Sequence, residues 1–283
     1  MPLLNQKHGI KIIENKFGFL IFTIYLCIVK RFISFSGGVE SSAMCLLYGK
    51  GATAIWCDTG AEHAEMYERI DKCEDYFKKL HNGDFSLIRI KESKYGVGLE
   101  GYIQKAKYMP SQQARFCTRI FKIEPIDLFL SSQGDCELMI GFNVDEEGRT
   151  GSMEAMQNVK YTYPLIDDGY TRADCEDLLN IHGMHPHFPV YMQRGGCRMC
   201  FFKSEKEYKA LYHLNRKEFN EVMQFEEGIQ DKRMKFYSIM GNGKSLRQLA
   251  SECENELFSN EDIKEMYSVY KKQERSCGAF CHR

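Results

Sequence analysis

The chain has 283 residues, 43% hydrophobic and 27% charged, with a formal charge of -1. That is enough apolar material for one enzyme-sized core, and the charge is too balanced to mark the whole chain as a polyanion binder. Twelve cysteines scattered through strand-like and helix-like runs do not form a disulfide framework; Cys27, Cys45, Cys57, Cys73, Cys136, Cys175 and Cys253 read as small reduced core residues, as expected in the cytoplasm.

The first element is an apolar run, Phe17 to Val29, preceded by Lys7, Lys11 and Lys16. It is too short for a bilayer, which needs about twenty residues. It has no small-residue cleavage site, and Lys30-Arg31 leads straight into the next strand. Residues 1–29 therefore read as an accessory extension or an over-called start, with an extra buried strand or helix as the alternative. No stable membrane association is expected.

Next comes strand, turn, helix: Phe32-Ile33-Ser34-Phe35, then Ser36-Gly37-Gly38-Val39-Glu40-Ser41-Ser42, then Ala43 to Tyr48. Bare glycines let backbone N–H groups point at an anion at the positive end of a helix, so the turn describes a phosphate cradle. No lysine follows as a Walker loop would require. Strands are expected near 31–36, 52–57, 85–91 and 137–142, with helices near 41–49, 63–81 and 112–131; Met66, Ile70, Cys73 and Phe77 mark one face of the second helix. This alternation predicts an α/β doubly wound, mostly parallel sheet, whose ligands gather at the carboxyl ends of the strands. The later chain reads as helices over 203–216, 218–227 and 260–272, a helical C-terminal extension. Gly241 to Ser245 lacks the first Walker glycine and reads as the start of a helix over 246–253. Between Arg194 and Lys217 seven basic residues face two glutamates, a solvated helix face more than a polyanion site.

The Ser36–Ser42 loop resembles the Ser-Gly-Gly-x-Asp-Ser pyrophosphate loop of the PP-loop ATP pyrophosphatase superfamily. Asp58-Thr59-Gly60, Phe116-Cys117-Thr118-Arg119 with Lys122-Ile123-Glu124-Pro125, Gly141 to Arg149, Tyr163-Pro164-Leu165-Ile166 and Gly195 to Cys200 follow in order. That series resembles the phosphoadenosine phosphosulfate (PAPS) reductase family, including its relatives in DNA phosphorothioation systems. The resemblance spans about residues 30–212, implying an adenine nucleotide alpha hydrolase-like fold for this nucleotide-binding domain and leaving 213–283 as the extension.

It implies an adenine-nucleotide site at Ser36, Gly37, Gly38, Ser41, Ser42, Asp58, Thr59, Gly60, Gly141, Asp145 and Arg149, with Mg²⁺ accompanying ATP. Asp58-Thr59-Gly60 also caps the next helix unaided, and Glu40 stands where the superfamily loop has Asp. Arg149 suits an oxyanion because its planar fork matches phosphate or sulfate. Relatives that reduce adenosine phosphosulfate hold a four-iron, four-sulfur (4Fe-4S) cluster on a Cys-Cys pair and a distant CxxC. Here the pair reads Phe116-Cys117, so Cys117, Cys197 and Cys200 would supply three thiolates, as in iron–sulfur tRNA thiolases of the superfamily. Structural Zn²⁺, on Cys197 and Cys200 with Cys277 and Cys281 or with histidines from His182 to His187, and a redox dithiol stay open beside it.

The tail, Glu274 to His282, is similar to the mobile Glu-Cys-Gly-x-His of PAPS reductases, whose cysteine attacks sulfonyl sulfur; Cys277 matches that cysteine, although Glu274 is not adjacent to it. Three functions follow. In the first, ATP is cleaved to AMP and pyrophosphate to activate a nucleic-acid or small-molecule acceptor, with sulfur from a donor protein and chemistry at Cys117 and Arg119. The second is reduction of a phosphosulfate nucleotide to sulfite through Cys277. The third is a nucleotide-binding scaffold with structural zinc. The intact Ser-Gly-Gly with Ser41 favours the first.

Overall fold

The computed structural model describes residues 10–14, 20–24, 29–92, 94–149, 156–193, 195–229, 238–254, 261, 262 and 265. The elements are β1 (Ile10–Glu14), β2 (Leu20–Ile24), β3 (Lys30–Ser34), α1 (Val39–Tyr48), β4 (Ala52–Asp58), α2 (Ala64–Leu80), β5 (Phe85–Lys91), α3 (Gly98–Ala106), α4 (Phe116–Thr118), α5 (Glu124–Ser131), β6 (Cys136–Met139), β7 (Val159–Thr162), α6 (Pro164–Asp167), α7 (Arg172–Ile181), α8 (Glu205–Leu214), α9 (Arg216–Ile229) and α10 (Leu246–Glu254). β3 to β7 form one parallel sheet in the order β5-β4-β3-β6-β7.

Strand alternation explains how both faces of that sheet are covered. Ile33, Ala54 and Trp56 point into the main core, whereas Phe32 and Ile55 join Leu138, Ile140 and Val159 in a second cluster on the other face. α5 closes the second cluster, with Phe129 edge-on to Phe32 at 5.4 Å between ring centroids. On the main face lies α2, whose Met66, Ile70, Cys73 and Phe77 are all buried as their spacing predicts. Full burial of Met66, Ile70 and Phe77 contributes roughly 1.5–3 kcal/mol each. Tyr208 and Leu211 of α8, Phe219 and Val222 of α9, and Leu246 and Leu249 of α10 belong to the same main cluster, so the C-terminal helices extend one core. The buried Glu226 ties α9 to α10 by accepting the backbone N–H groups of Ile239 and Leu246.

Several expectations need correction. The helix expected over 112–131 begins only at Phe116, and Arg119–Ile123 forms a π-helical turn inside it. β6 stops at Met139, short of 142. The fifth strand β7 and the helices α3 and α7 add to the expected set. α8 starts at Glu205 because Ser204 caps it: the Ser204 hydroxyl accepts the Glu207 N–H while the Glu207 carboxylate accepts the Ser204 N–H. In the extension, β1 and β2 pair antiparallel as their own two-stranded sheet. Most of the helix expected over 260–272 lies outside the described residues.

Candidate functional site

β3 and β6 are neighbours, and the strand order turns back between them, which opens a crevice at their carboxyl ends. A recess lies there, lined by Ser34, Ser36, Glu40, Ser41, Ile140 and Gly141. α1 begins at its edge with Gly38 as N-cap, and no side chain caps that end. The first-turn N–H groups thus have no side-chain cap, and the helix dipole there favours a negative ligand. The Ser36 and Ser41 hydroxyls lie 3.1 Å apart, and the Gly38 N–H reaches Ser36 Oγ at 3.4 Å.

The two glycines serve different ends. Gly37 has φ +77°, a left-handed conformation that calls for glycine, and a Cβ on it would also come within 2.5 Å of Met66 Cε on α2. At Gly38 the backbone is extended, and a Cβ would meet only Ser36 Oγ at 3.3 Å. Gly141 is also a close approach: its Cβ would stand 3.2 Å from the Ser41 nitrogen, so β6 can lie against the start of α1 only because position 141 is bare. Ser42, by contrast, is fully buried, and its hydroxyl accepts from Arg69 Nη2 at 3.0 Å.

Glu40 puts a carboxylate at the recess. Arg172 Nη1 donates to it at 2.8 Å and Asn143 Nδ2 at 3.3 Å. The Asp145 carboxylate accepts the Arg172 backbone N–H at 3.2 Å, which ties the turn Val144–Arg149 to the start of α7. Arg172 and Asn143 escaped the sequence reading; an acidic residue in a phosphate loop was the signal that a basic partner stood nearby. The side chain of Arg149 lies outside the description.

Asp58 and Thr59 form a second cluster at the end of β4. Asp58 Oδ1 accepts the Gly60 N–H and the Tyr67 hydroxyl, both at 2.8 Å, and Oδ2 meets Lys91 Nζ at 3.1 Å. Asp58 thus holds its own turn together. Thr59 donates to Glu62 Oε1 at 3.0 Å and lies 3.4 Å from Cys197 Sγ, while the Arg198 N–H bonds the Ala61 carbonyl. The CxxC loop therefore docks on the Asp58–Glu62 turn. A Cβ on Gly195 would stand 2.9 Å from Met66 Sδ, so the CxxC loop packs closely on α2 there. Met66 thereby packs against both the glycine turn and the CxxC loop.

Cys117 sits half-buried in α4, and Cys200 interacts electrostatically with both Cys117 and Cys197. Desolvation raises all three thiols; the carboxylate of Glu62 raises Cys197 further, and hydrogen bonds from Phe202 and Thr118 partly offset the effect at Cys200 and Cys117. Among the described residues no three His, Cys, Asp or Glu side chains are gathered that could hold a metal ion. Arg119 is exposed and paired with Glu124. Of the basic segment, Arg198 is spent on Glu100 and Glu221, Lys203 on the Tyr191 carbonyl and Arg216 on the Tyr212 ring, in keeping with a structural surface. Cys277 lies outside the described residues. Among those described, no helix is long and apolar enough to cross a membrane.

Residues 30–167 match the phosphoadenosine phosphosulfate reductase domain. This segment belongs to the PAPS reductase family. The PAPS reductase domain so defined runs from β3 through α6, carrying the recess and Cys117 and ending before the CxxC. Its five-stranded parallel sheet flanked by helices is the α/β fold expected. Among solved structures, the chain is similar to phosphoadenylyl-sulfate (PAPS) reductase from Candida auris in its phosphate complex, at 12% identity and a TM-score of 0.40, covering 54% of this chain and 73% of that one. No curated protein matches the chain.

Proposed function

We propose that the recess beside the glycine turn holds the phosphates of ATP, and that the protein cleaves ATP to AMP and pyrophosphate to activate an acceptor for sulfur transfer. The observation that carries this reading is the convergence of an uncapped helix start, two serine hydroxyls and the bare Gly141 at the turning point of the strand order. An acceptor oxygen would attack the α-phosphorus, forming one P–O bond as the bond to the departing pyrophosphate breaks. The N–H groups of the turn and the hydroxyls of Ser36 and Ser41 would hold the leaving oxygens in line. Glu40 is unfavourable beside bare phosphate, which fits substrate arriving as its Mg²⁺ complex, the cation offsetting charge. Arg172 keeps that carboxylate to one side. Cys117, Cys197 and Cys200 are soft donors of the type an iron–sulfur cluster or zinc takes, although they are not drawn together as a ligand set among the described residues, and no step is routed through either.

The family match also supports reduction of a phosphosulfate nucleotide, so the test has two arms. Full-length protein is expected to bind ATP with Mg²⁺ and to release pyrophosphate once its acceptor is supplied. Gly38→Asp, which sets a carboxylate at the helix start, should abolish that binding; a folded variant that retains it in calorimetry overturns the assignment. Sulfite release from PAPS with thioredoxin, lost in Cys277→Ser, would move the function to reduction.

A further inference from the structure

Arg69 lies on α2 beneath the glycine turn and is 7% exposed. Its Nε donates to the Gly37 carbonyl at 3.4 Å, and its Nη2 donates to Ser42 Oγ at 3.0 Å and to the Met184 carbonyl at 2.7 Å. All three acceptors are neutral. Among the described residues no carboxylate pairs with this guanidinium, so a buried positive charge stands without a counter-charge. Burial works against that charge and lowers its proton affinity, yet a guanidinium remains protonated. Holding such a group is costly unless something else neutralises it.

The local geometry says where neutralisation comes from. In a trans peptide the carbonyl of one residue and the N–H of the next point in opposite directions. The Gly37 carbonyl is turned down onto Arg69, so the Gly38 N–H is turned away from α2, toward Ser36 Oγ and the recess that Ser36 lines. The same guanidinium holds the Ser42 hydroxyl in the first turn of α1. One side chain thus fixes both the peptide and the helix start that face the ligand.

We propose that Arg69 is the positioning residue of the anion site: it orients the Gly37–Gly38 peptide toward the recess and supplies the buried positive charge that a bound phosphate or pyrophosphate neutralises. This rests on the reading of the recess as a phosphate site. The experiment measures affinity of the full chain for inorganic pyrophosphate with Mg²⁺ by calorimetry, in the wild type, Arg69→Lys and Arg69→Met, beside the melting temperature of each without ligand. The expected order is Arg, then Lys, then Met, with the methionine variant weaker by about tenfold or more, equivalent to about 1.4 kcal/mol. The lysine variant recovers part of the affinity because it keeps the charge while losing the fork. A purely structural role would lower melting temperature and affinity together and give lysine no advantage over methionine. The proposal is overturned if folded Arg69→Met binds pyrophosphate like the wild type, or if lysine is as weak as methionine. Should the methionine variant fail to fold, a lysine variant equal to the wild type overturns it. Wild-type protein that binds no pyrophosphate would instead remove the phosphate reading itself, before any variant is compared.

Discussion

Gly37 and Gly38 are adjacent, and the backbone treats them oppositely. Gly37 sits at φ +77° with Met66 against its missing side chain, whereas Gly38 is extended and faces only the Ser36 hydroxyl, 3.3 Å from where a Cβ would stand. Gly37→Ala should therefore cost about 1–2 kcal/mol for the left-handed conformation, the Met66 methyl being the end of a flexible side chain that can move aside. Gly38→Ala should stay within about 0.5 kcal/mol of the wild type. Urea unfolding followed by fluorescence of Trp56, the single tryptophan and a buried residue, measures both. Equal destabilisation by the two substitutions would contradict the assigned roles. The sequence marked both glycines as special but could not distinguish them, because the difference lies in the backbone conformation each adopts in the folded turn. Asp58 repeats the lesson: as a residue type it suits a ribose or Mg²⁺, and only the folded chain brings Tyr67 and Lys91 to its oxygens.

At the scale of elements, local signals served where local forces decide. The α2 stripe was readable because a helix facing a sheet must repeat its apolar residues every three or four positions. α3 was hidden by Gly96, Gly98 and Gly101, and β7 by its shortness, four residues including Lys160. The π-helical turn at Arg119–Ile123 leaves no local signal, since one extra residue per turn is imposed by packing. The capping box of α8 matters beyond its helix. Glu207 is buried, with Oε2 accepting the Ser204 N–H at 2.8 Å and Oε1 accepting the Gln193 N–H at 3.2 Å, which anchors the segment entering the CxxC loop. Glu207→Ala removes a buried carboxylate that accepts two backbone N–H groups and should cost about 2–3 kcal/mol, against about 1 kcal/mol for an ordinary cap. Thr171→Ala, which removes the exposed cap of α7, is the comparison, with chemical denaturation as the measurement. A loss at Glu207 no larger than at Thr171 would deny it the second anchoring role.

For the whole molecule, the sheet order places the recess at the ends of β3 and β6, while the CxxC loop docks on the turn that follows β4. Whether the CxxC loop holds metal is decided by anaerobic purification with iron, sulfide and zinc analysis. The expected result is an oxygen-sensitive iron–sulfur chromophore, lost in Cys197→Ser and Cys200→Ser; colourless protein with stoichiometric zinc would replace the cluster with a structural ion. The sequence by itself determined the parallel α/β class, the glycine turn between β3 and α1, and the burial of the α2 stripe. Each follows from short-range rules: strand and helix periodicity, glycine backbone freedom and the dipole of a helix start. Only the tertiary structure decided that Arg172 restrains Glu40, that Arg69 has no carboxylate partner among the described residues, and that Cys197 docks on Thr59 and Glu62. Those pairings join residues that are distant along the chain, and their energies depend on desolvation and close approach, which exist only after the layers have packed.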